Sequence, residues 1–206
     1  MSRWRPTPSR LVQVLAGLWI FGTGEGLVVA SELGNSPWTV FADGLSKHTP
    51  LSIGAATIVI GAGVLLAWLP IGERPGLGTV LNVIVIGVAI DATLALVPDL
   101  HALGVRVAAL FGGIALVGVG SGFYLTAELG PGPRDGLMTG LSARFGKPIA
   151  LVRTCIEVTA VAIGIALGGR AGLGSVAFAV LVGPAVAAAL WVAGRRGPLV
   201  RPASEP

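Results

Sequence analysis

The sequence predicts an all-α membrane protein of six transmembrane helices, built as two inverted three-helix repeats, each carrying a short re-entrant or interfacial helix. Three observations carry that prediction. The chain has 206 residues, of which 53% are hydrophobic and only 12% charged, with a mean hydropathy of +0.85; soluble domains carry about 25% charged residues. Six apolar runs, near residues 11–31, 51–69, 78–97, 102–127, 149–167 and 174–193, are each long enough to cross about 30 Å of hydrocarbon at about 1.5 Å per residue. Finally, one block occurs twice. Glu32-Leu33-Gly34-Asn35-Ser36-Pro37 with Gly44-Leu45-Ser46 returns as Glu128-Leu129-Gly130-Pro131-Gly132-Pro133 with Gly140-Leu141-Ser142, a constant offset of 96 (128 − 32).

The elements follow in order. A tail (residues 1–10) carries Arg3, Arg5 and Arg10 ahead of the first run. That run is too long for a signal-peptide core and lacks a cleavage site, so it is expected to be a mature span. Ser36-Pro37 then reads as a helix start, a capping side chain followed by proline at the first helical position. The short helix 37–46 would be about 15 Å long, half the hydrocarbon core. Two further spans complete a first repeat over residues 11–98. The second repeat, residues 99–195, has the same order: a span, a short helix from Pro133 to Ser142, and two spans. Residues 196–206 form a C-terminal tail. Glycines extend the match, with Gly22, Gly24 and Gly26 pairing with Gly118, Gly120 and Gly122, and Gly87 with Gly183. The register slips once, where Pro50 best matches Pro148. Three spans per repeat is an odd number, so the second half must enter from the opposite face, which inverts it. The short helices have two readings. Dipping in from opposite faces, their N-termini would meet near the midplane and offer N–H groups to an anion. Lying flat at the interface, they would use Trp38 as an aromatic anchor.

A pI near 10.2 invites a nucleic-acid partner, but the charges are sorted by membrane side. With the N-terminus inside, the inner segments hold Arg3, Arg5, Arg10, Arg74, Arg134, Arg144, Lys147, Arg195, Arg196 and Arg201; the outer ones hold Lys47, Arg106 and Arg170. This follows the positive-inside rule. It predicts a bacterial cytoplasmic (inner) membrane protein with both termini cytoplasmic, and no nucleic-acid partner. Cys155 is the single cysteine and the two histidines, His48 and His101, fall in short outer segments. No metal, cofactor or catalytic constellation is therefore expected, and the chain is not read as an enzyme.

Ionisable residues inside spans each need a reason. Arg153 and Glu157 lie four apart on one helical face. They suit a substrate-binding or proton-coupling pair, or a self-neutralising pair with Arg153 reaching the surface. Asp91 is a lone acid suited to carrying a proton, to capping a neighbouring helix, or to pairing with Arg106. Glu25 sits in Gly22-Thr-Gly24-Glu-Gly26, a weak helical stretch that either breaks to bind or packs the first and fourth spans closely. A Gly-x-x-x-Gly pair there also permits a homodimer. Asn35, Ser36 and Trp38 on the first short helix, and Arg134 and Asp135 on the second, are further candidate binding residues. Glu32, Pro37, Glu128 and Pro133 are expected to shape the turns, with both acids accepting hydrogen bonds from the helix that follows.

The stretch Gly34-Asn-Ser-Pro37-Trp38-Thr-Val with Gly44-Leu45-Ser46, then Gly78-Thr79-Val80-Leu81-Asn82 and Ile86-Gly87-Val-Ala-Ile-Asp91, resembles the YczE branch of the YczE/YyaS/YitT-like bacterial membrane proteins. Gly130-Pro-Gly-Pro133-Arg134-Asp135-Gly136 is similar to the second signature of that family. The resemblance covers about residues 12 to 195 and implies a multi-spanning inner-membrane protein; it adds little on substrate. Thr39 stands where an acid like Asp135 is expected, a departure from the pattern. The leading function is a small-molecule transporter or exporter with its site between the repeats, near the N-termini of the Pro37 and Pro133 helices. Arg153 would bind an anionic group, and Glu157 or Asp91 would carry the coupling proton. The alternatives are a membrane-embedded binding subunit of a larger transporter, or a non-transporting scaffold. Expected partners are membrane lipid and a small, anionic substrate.

Overall fold

A computed structural model describes residues 3–193. These form eight α-helices and no strand: α1 (Pro8–Ala30), α2 (Pro37–Ser46), α3 (Ile53–Trp68, extended by a 3-10 turn Leu69–Ile71), α4 (Leu77–Leu96), α5 (Leu103–Thr126), α6 (Pro133–Phe145), α7 (Ile149–Ala166) and α8 (Leu173–Val192). All but α2 and α6 are long and apolar enough to cross a membrane, counting α3 with its extension. Arg195, Arg196, Arg201 and the tail from 196 lie outside the described residues.

Local chemistry sets the boundaries. α1, α2 and α6 each begin with proline near the first helical position, where its missing N–H is no loss. α1 thus starts at Pro8, three residues before the apolar run. α6 runs past Ser142 to Phe145 and stops on Gly146 in the left-handed conformation, a common helix end. In α3, Ser52 Oγ caps Ala55 N at 3.0 Å.

α1 and α5 form the centre, packed along each other. Alternate glycines explain how. Residues two apart on a helix point to opposite sides, and residues four apart to the same side. Gly22 and Gly26 press on Ile86, Ala89 and Thr93 of α4, while Gly24 presses on Gly113 and Val117 of α5. In the second copy, Gly118 and Gly122 press on Ala185 and Ala189 of α8, and Gly120 on Gly17 and Phe21 of α1. A Cβ at any of these six glycines would lie within 2.8 Å of a neighbouring atom. α1 stays unbroken through its glycines, so packing, not a helix break, accounts for them. They face the chain's own helices and are not free to form a dimer seam.

The linkers after α1 and α5 share one backbone shape. Glu32 and Glu128 have φ of 54° and 57°, and Gly34 and Gly130 have 121° and 122°. At the glycines only a residue without Cβ fits: a Cβ on Gly34 would meet Gly172 N, and one on Gly130 Thr79 Oγ1. Contacts between the halves come in matched pairs. Gly78 N donates to Leu129 O at 2.9 Å, and Gly174 N to Leu33 O at 2.8 Å. Arg106 Nη2 lies 3.6 Å from Glu32 Oε2, and Arg10 Nη2 lies 3.8 Å from Glu128 Oε2. α2 packs on α7, and α6 on α3.

The match fails at one seam. α3 packs along α4, where a Cβ on Gly87 would meet Gly54 O and Ile58 Cγ1 at 2.5 Å. Asp91 pins this seam: Oδ1 accepts from Gly54 N at 2.8 Å and Oδ2 from Ser52 Oγ at 2.5 Å. α7 has no comparable seam with α8. Gly183, the counterpart of Gly87, meets nothing within 4 Å, and the counterpart of Asp91 is Ala187. Large apolar side chains such as Trp19, Leu66, Phe123, Val158, Val180 and Trp191 face outward along the spans. That suits a surface solvated by acyl chains.

Candidate functional site where two short helices meet

α2 and α6 approach each other through their first turns. Arg134 Cζ of α6 lies 4.9 Å from the centroid of the Trp38 ring of α2, within cation–π range. Position 134 is the 96-residue counterpart of position 38, so equivalent residues of the two copies stack on each other. Trp38 is only 7% exposed and clusters with Val64, Trp68 and Ala160, so its ring packs inside the protein. From there α2 climbs along α7, since Gly44 meets Gly164 and Leu167. α6 is held at its own start by Trp68, whose Nε1 donates to Pro133 O at 2.9 Å.

Behind Trp38, α1 supplies a buried acid. Glu25 is 2% exposed. Its Oε2 accepts from Ser36 Oγ and from Thr39 Oγ1, both at 2.8 Å. The two hydroxyl oxygens lie 2.9 Å apart, so the N-cap and first turn of α2 together fix the carboxylate. This accounts for Thr39: the acid that its position lacks comes from α1 instead. The second copy is built the other way. Its acid, Asp135, is on α6 itself and accepts from Tyr124 Oη of α5 at 2.8 Å. Ser121, the counterpart of Glu25, turns back to Val117 O at 2.7 Å. Each short helix therefore starts against one carboxylate held by hydroxyl donors.

Three groups at this junction stay unengaged. Glu25 Oε1 and Trp38 Nε1 are buried without a hydrogen-bond partner, which costs about 1–3 kcal/mol each. No carboxylate among the described residues comes into ion-pair contact with Arg134. Burial lowers its pKa, and the charges of Glu25 and then Asp135 oppose that shift.

The other candidates lie elsewhere. Asn35 is buried beside this junction but serves the α7–α8 loop: its N donates to Arg170 O at 3.0 Å, and Asp43 Oδ2 accepts from Arg170 N at 2.6 Å. Its Oδ1 has no partner. Asp91 caps α3, away from the junction, and does not pair with Arg106, which instead reaches Glu32 and donates to Ser31 O at 2.7 Å. Arg153 lies on the outer surface of α7, with its Nε 2.9 Å from Glu157 Oε1, and is not brought into the cluster; Glu157 stands at its edge. Glu32 and Glu128 both have positive φ. They turn the chain, and Glu32 accepts from Arg170 Nη1 at 2.7 Å. That hydrogen bond, then the Arg170 charge, holds the Glu32 carboxyl below its usual value. Pro37 and Pro133 do start their helices. Sequence reasoning missed Thr39 and Tyr124 as partners of the acids. Tyr124 is the chain's one tyrosine and sits in a span, a signal that could have marked it. Among the described residues, no group of three His, Cys, Asp or Glu could hold a metal.

The fold and this junction define a multi-pass helical membrane protein. The chain belongs to the family of unknown function DUF6198, which matches residues 8–190, and is a YczE-like membrane protein. It is 41% identical over 185 residues to an uncharacterized protein of Haemophilus influenzae, covering 90% of this chain and 85% of that one. It is 34% identical to the uncharacterized membrane protein YczE of Bacillus subtilis, over 82% of this chain and 79% of the other. YyaS of the same organism is 27% identical, over 77% and 81%. No solved structure matches.

Proposed function

We propose that the protein is a small-molecule transporter of the bacterial inner membrane, not an enzyme, with its substrate bound where α2 and α6 meet. The observation that carries this is a junction where two buried atoms without a hydrogen-bond partner, Glu25 Oε1 and Trp38 Nε1, lie beside a half-buried Arg134 that has no ion pair among the described residues. A scaffold has no use for such a junction, because each buried orphan lowers stability.

On this reading α2 and α6 re-enter the membrane from opposite faces, and residues 11–98 and 99–195 are inverted repeats with both termini cytoplasmic. Reciprocal contacts support the two-fold relation. If residue i of one copy touches j of the other, then j's counterpart touches i's counterpart, as at any two-fold interface. The pairs Arg106–Glu32 and Arg10–Glu128 behave this way. Re-entry of α2 is supported by Trp38 packing beside Ala160, within α7, while Gly44 meets its end. The difference between the α3–α4 and α7–α8 seams suits alternating access. One gate is closed in this state, and the opposite state would close α8 onto α7 and release α3 from α4.

The test is a thermal-stability screen of the detergent-purified protein against pooled metabolites, near pH 6 and near pH 8. A ligand at about 100 times its dissociation constant stabilises by about 2.7 kcal/mol. A hit that disappears in Glu25→Gln and exchanges across proteoliposomes supports the proposal. Well-folded protein with no hit at either pH overturns it in favour of a scaffold.

A further inference from the structure

On the reading that substrate binds at the α2–α6 junction, we propose that the substrate is a small zwitterion, with its ammonium group on Glu25 and its anionic group on Arg134 and the Trp38 indole N–H. The argument is one of complementarity. Glu25 Oε1 is a bare acceptor in a residue 2% exposed. Trp38 Nε1 is a bare donor in a residue 7% exposed. Arg134 lies over the Trp38 ring at 4.9 Å with no ion pair among the described residues, and a guanidinium offers five donors in a planar fork. A simple anion would fill Arg134 and the indole but leave Glu25 bare and repelled. A simple cation would fill Glu25 but face Arg134. A molecule bearing both groups meets all three.

The remaining polar groups of the junction are engaged with one another and act as positioning residues. Ser36 and Thr39 both donate to Glu25 Oε2, which leaves Oε1 as the free oxygen. Tyr124 donates to Asp135 Oδ2, and Asp135 is exposed where Glu25 is buried, so the buried acceptor is Glu25. Of the three carboxylates that act on Arg134, Glu25 acts most strongly. Glu25 is held by Ser36 and Thr39 and Arg134 stacks on Trp38, so both charged groups meet the first turn of α2, which suits a compact zwitterion such as an amino acid.

The experiment uses the full chain in detergent and three matched probe sets: free α-amino acids, the same compounds N-acetylated so that only the carboxylate remains charged, and the same compounds as carboxamides so that only the ammonium does. Thermal shift is read against concentration. The expected result is a saturable shift with at least one free amino acid, absent for its two blocked forms at tenfold higher concentration. Glu25→Gln and Arg134→Gln each weaken binding at least tenfold while melting like the parent without ligand. Should Glu25→Gln fail to fold, Trp38→Phe replaces it: an aromatic ring stays under Arg134, the N–H goes together with part of the indole, and binding falls several-fold in a variant that still melts cooperatively. A carboxylate-only or ammonium-only form that binds as tightly, and loses binding in the same variants, overturns the zwitterion but leaves the site standing. A free amino acid that binds all variants equally overturns the site as well. No shift with any probe overturns the zwitterion, and the pooled screen then decides the site.

Discussion

Adding one methyl group at Gly87 and at Gly183 tests the unequal seams directly. The two glycines are counterparts, 96 residues apart (183 − 87), and each lies inside a spanning helix. In Gly87→Ala the new Cβ lands 2.5 Å from Gly54 O and 2.5 Å from Ile58 Cγ1. Ordinary contact begins about 1 Å further out. The carbonyl is backbone and cannot rotate aside, so α3 must shift; overpacking of this kind costs about 1–3 kcal/mol. In Gly183→Ala the Cβ meets nothing within 4 Å, and only the helix-propensity gain of up to about 1 kcal/mol remains. That gain is common to both variants and cancels in their difference. Gly87→Ala should thus be less stable than Gly183→Ala by about 1–3 kcal/mol, which in a chain of this size separates the melting temperatures by about 2–4 °C per kcal/mol. Tryptophan-fluorescence melts of the two variants, purified side by side, measure the gap. Transport adds a second readout. If α8 closes onto α7 in the opposite state, Gly183→Ala obstructs that state and slows exchange although the protein is fully stable. Equal melting temperatures for the two variants would refute the seam asymmetry. A stable Gly183→Ala that transports at the parent rate would refute the alternating closure.

Asp91→Asn keeps one acceptor for Gly54 N but turns an amide towards Ser52, so it should lose about 1–2 kcal/mol of stability; a stable but inactive variant would return Asp91 to the role of proton carrier. Tyr124→Phe removes the donor to Asp135 and should cost about 1–2 kcal/mol in the same melts; no loss would mean that the hydrogen bond is not formed. The Glu32 carboxyl is held low by Arg170, so its contribution is present above the unfolded value and is lost as pH falls through the folded one. Melts taken downward from about pH 6 should show an acid limb that Glu32→Gln flattens, and the limb should shrink with added salt because the pair is exposed.

The six apolar helices and both short helices were legible because each is written locally, in apolar runs and in Ser-Pro or Gly-Pro starts. Glu25, Ser36, Trp38, Arg134, Asp135 and Glu157 were legible as costly or oddly placed residues. Their grouping was not. It depends on contacts between positions about 100 apart, such as Trp38 with Arg134, and no local pattern specifies which side chain reaches which. The same limit explains Arg153 and Asp91. Both are charges inside spans, yet Arg153 finds its partner one turn away and Asp91 caps the start of α3. A buried charge signals that something must offset its cost, and a helix N-terminus offsets it as well as a substrate does. The Ser31–Ser36 link was read as leading into a helix; its pairing with the α7–α8 loop, through Gly174 N to Leu33 O and Asn35 N to Arg170 O, had no sequence signal.

The two copies solve one problem with different residues, and that difference can be tested by exchange. In the first, Glu25 on α1 meets Thr39 on α2; in the second, Ser121 on α5 bonds its own helix and Asp135 on α6 takes a hydroxyl from Tyr124. Thr39→Asp alone sets a second carboxylate against Glu25, where the present oxygens are 2.8 Å apart. Two charges about 4 Å apart repel by about 4 kcal/mol at an effective dielectric near 20, less whatever a shared proton relieves. Glu25→Ser alone leaves Ser36 and Thr39 without their acceptor, at about 1–3 kcal/mol. The double variant, Glu25→Ser with Thr39→Asp, gives the first copy the Ser and Asp of the second. It should be more stable than the sum of the single losses by several kcal/mol, a coupling that a double-mutant cycle reads directly. Strict additivity would mean that the two positions do not share one carboxylate site, and the equivalence of the two helix starts would fall with it. If coupling is found but ligand binding is lost, the fold tolerates the acid on either element while the substrate needs it on α1, where Oε1 is left bare.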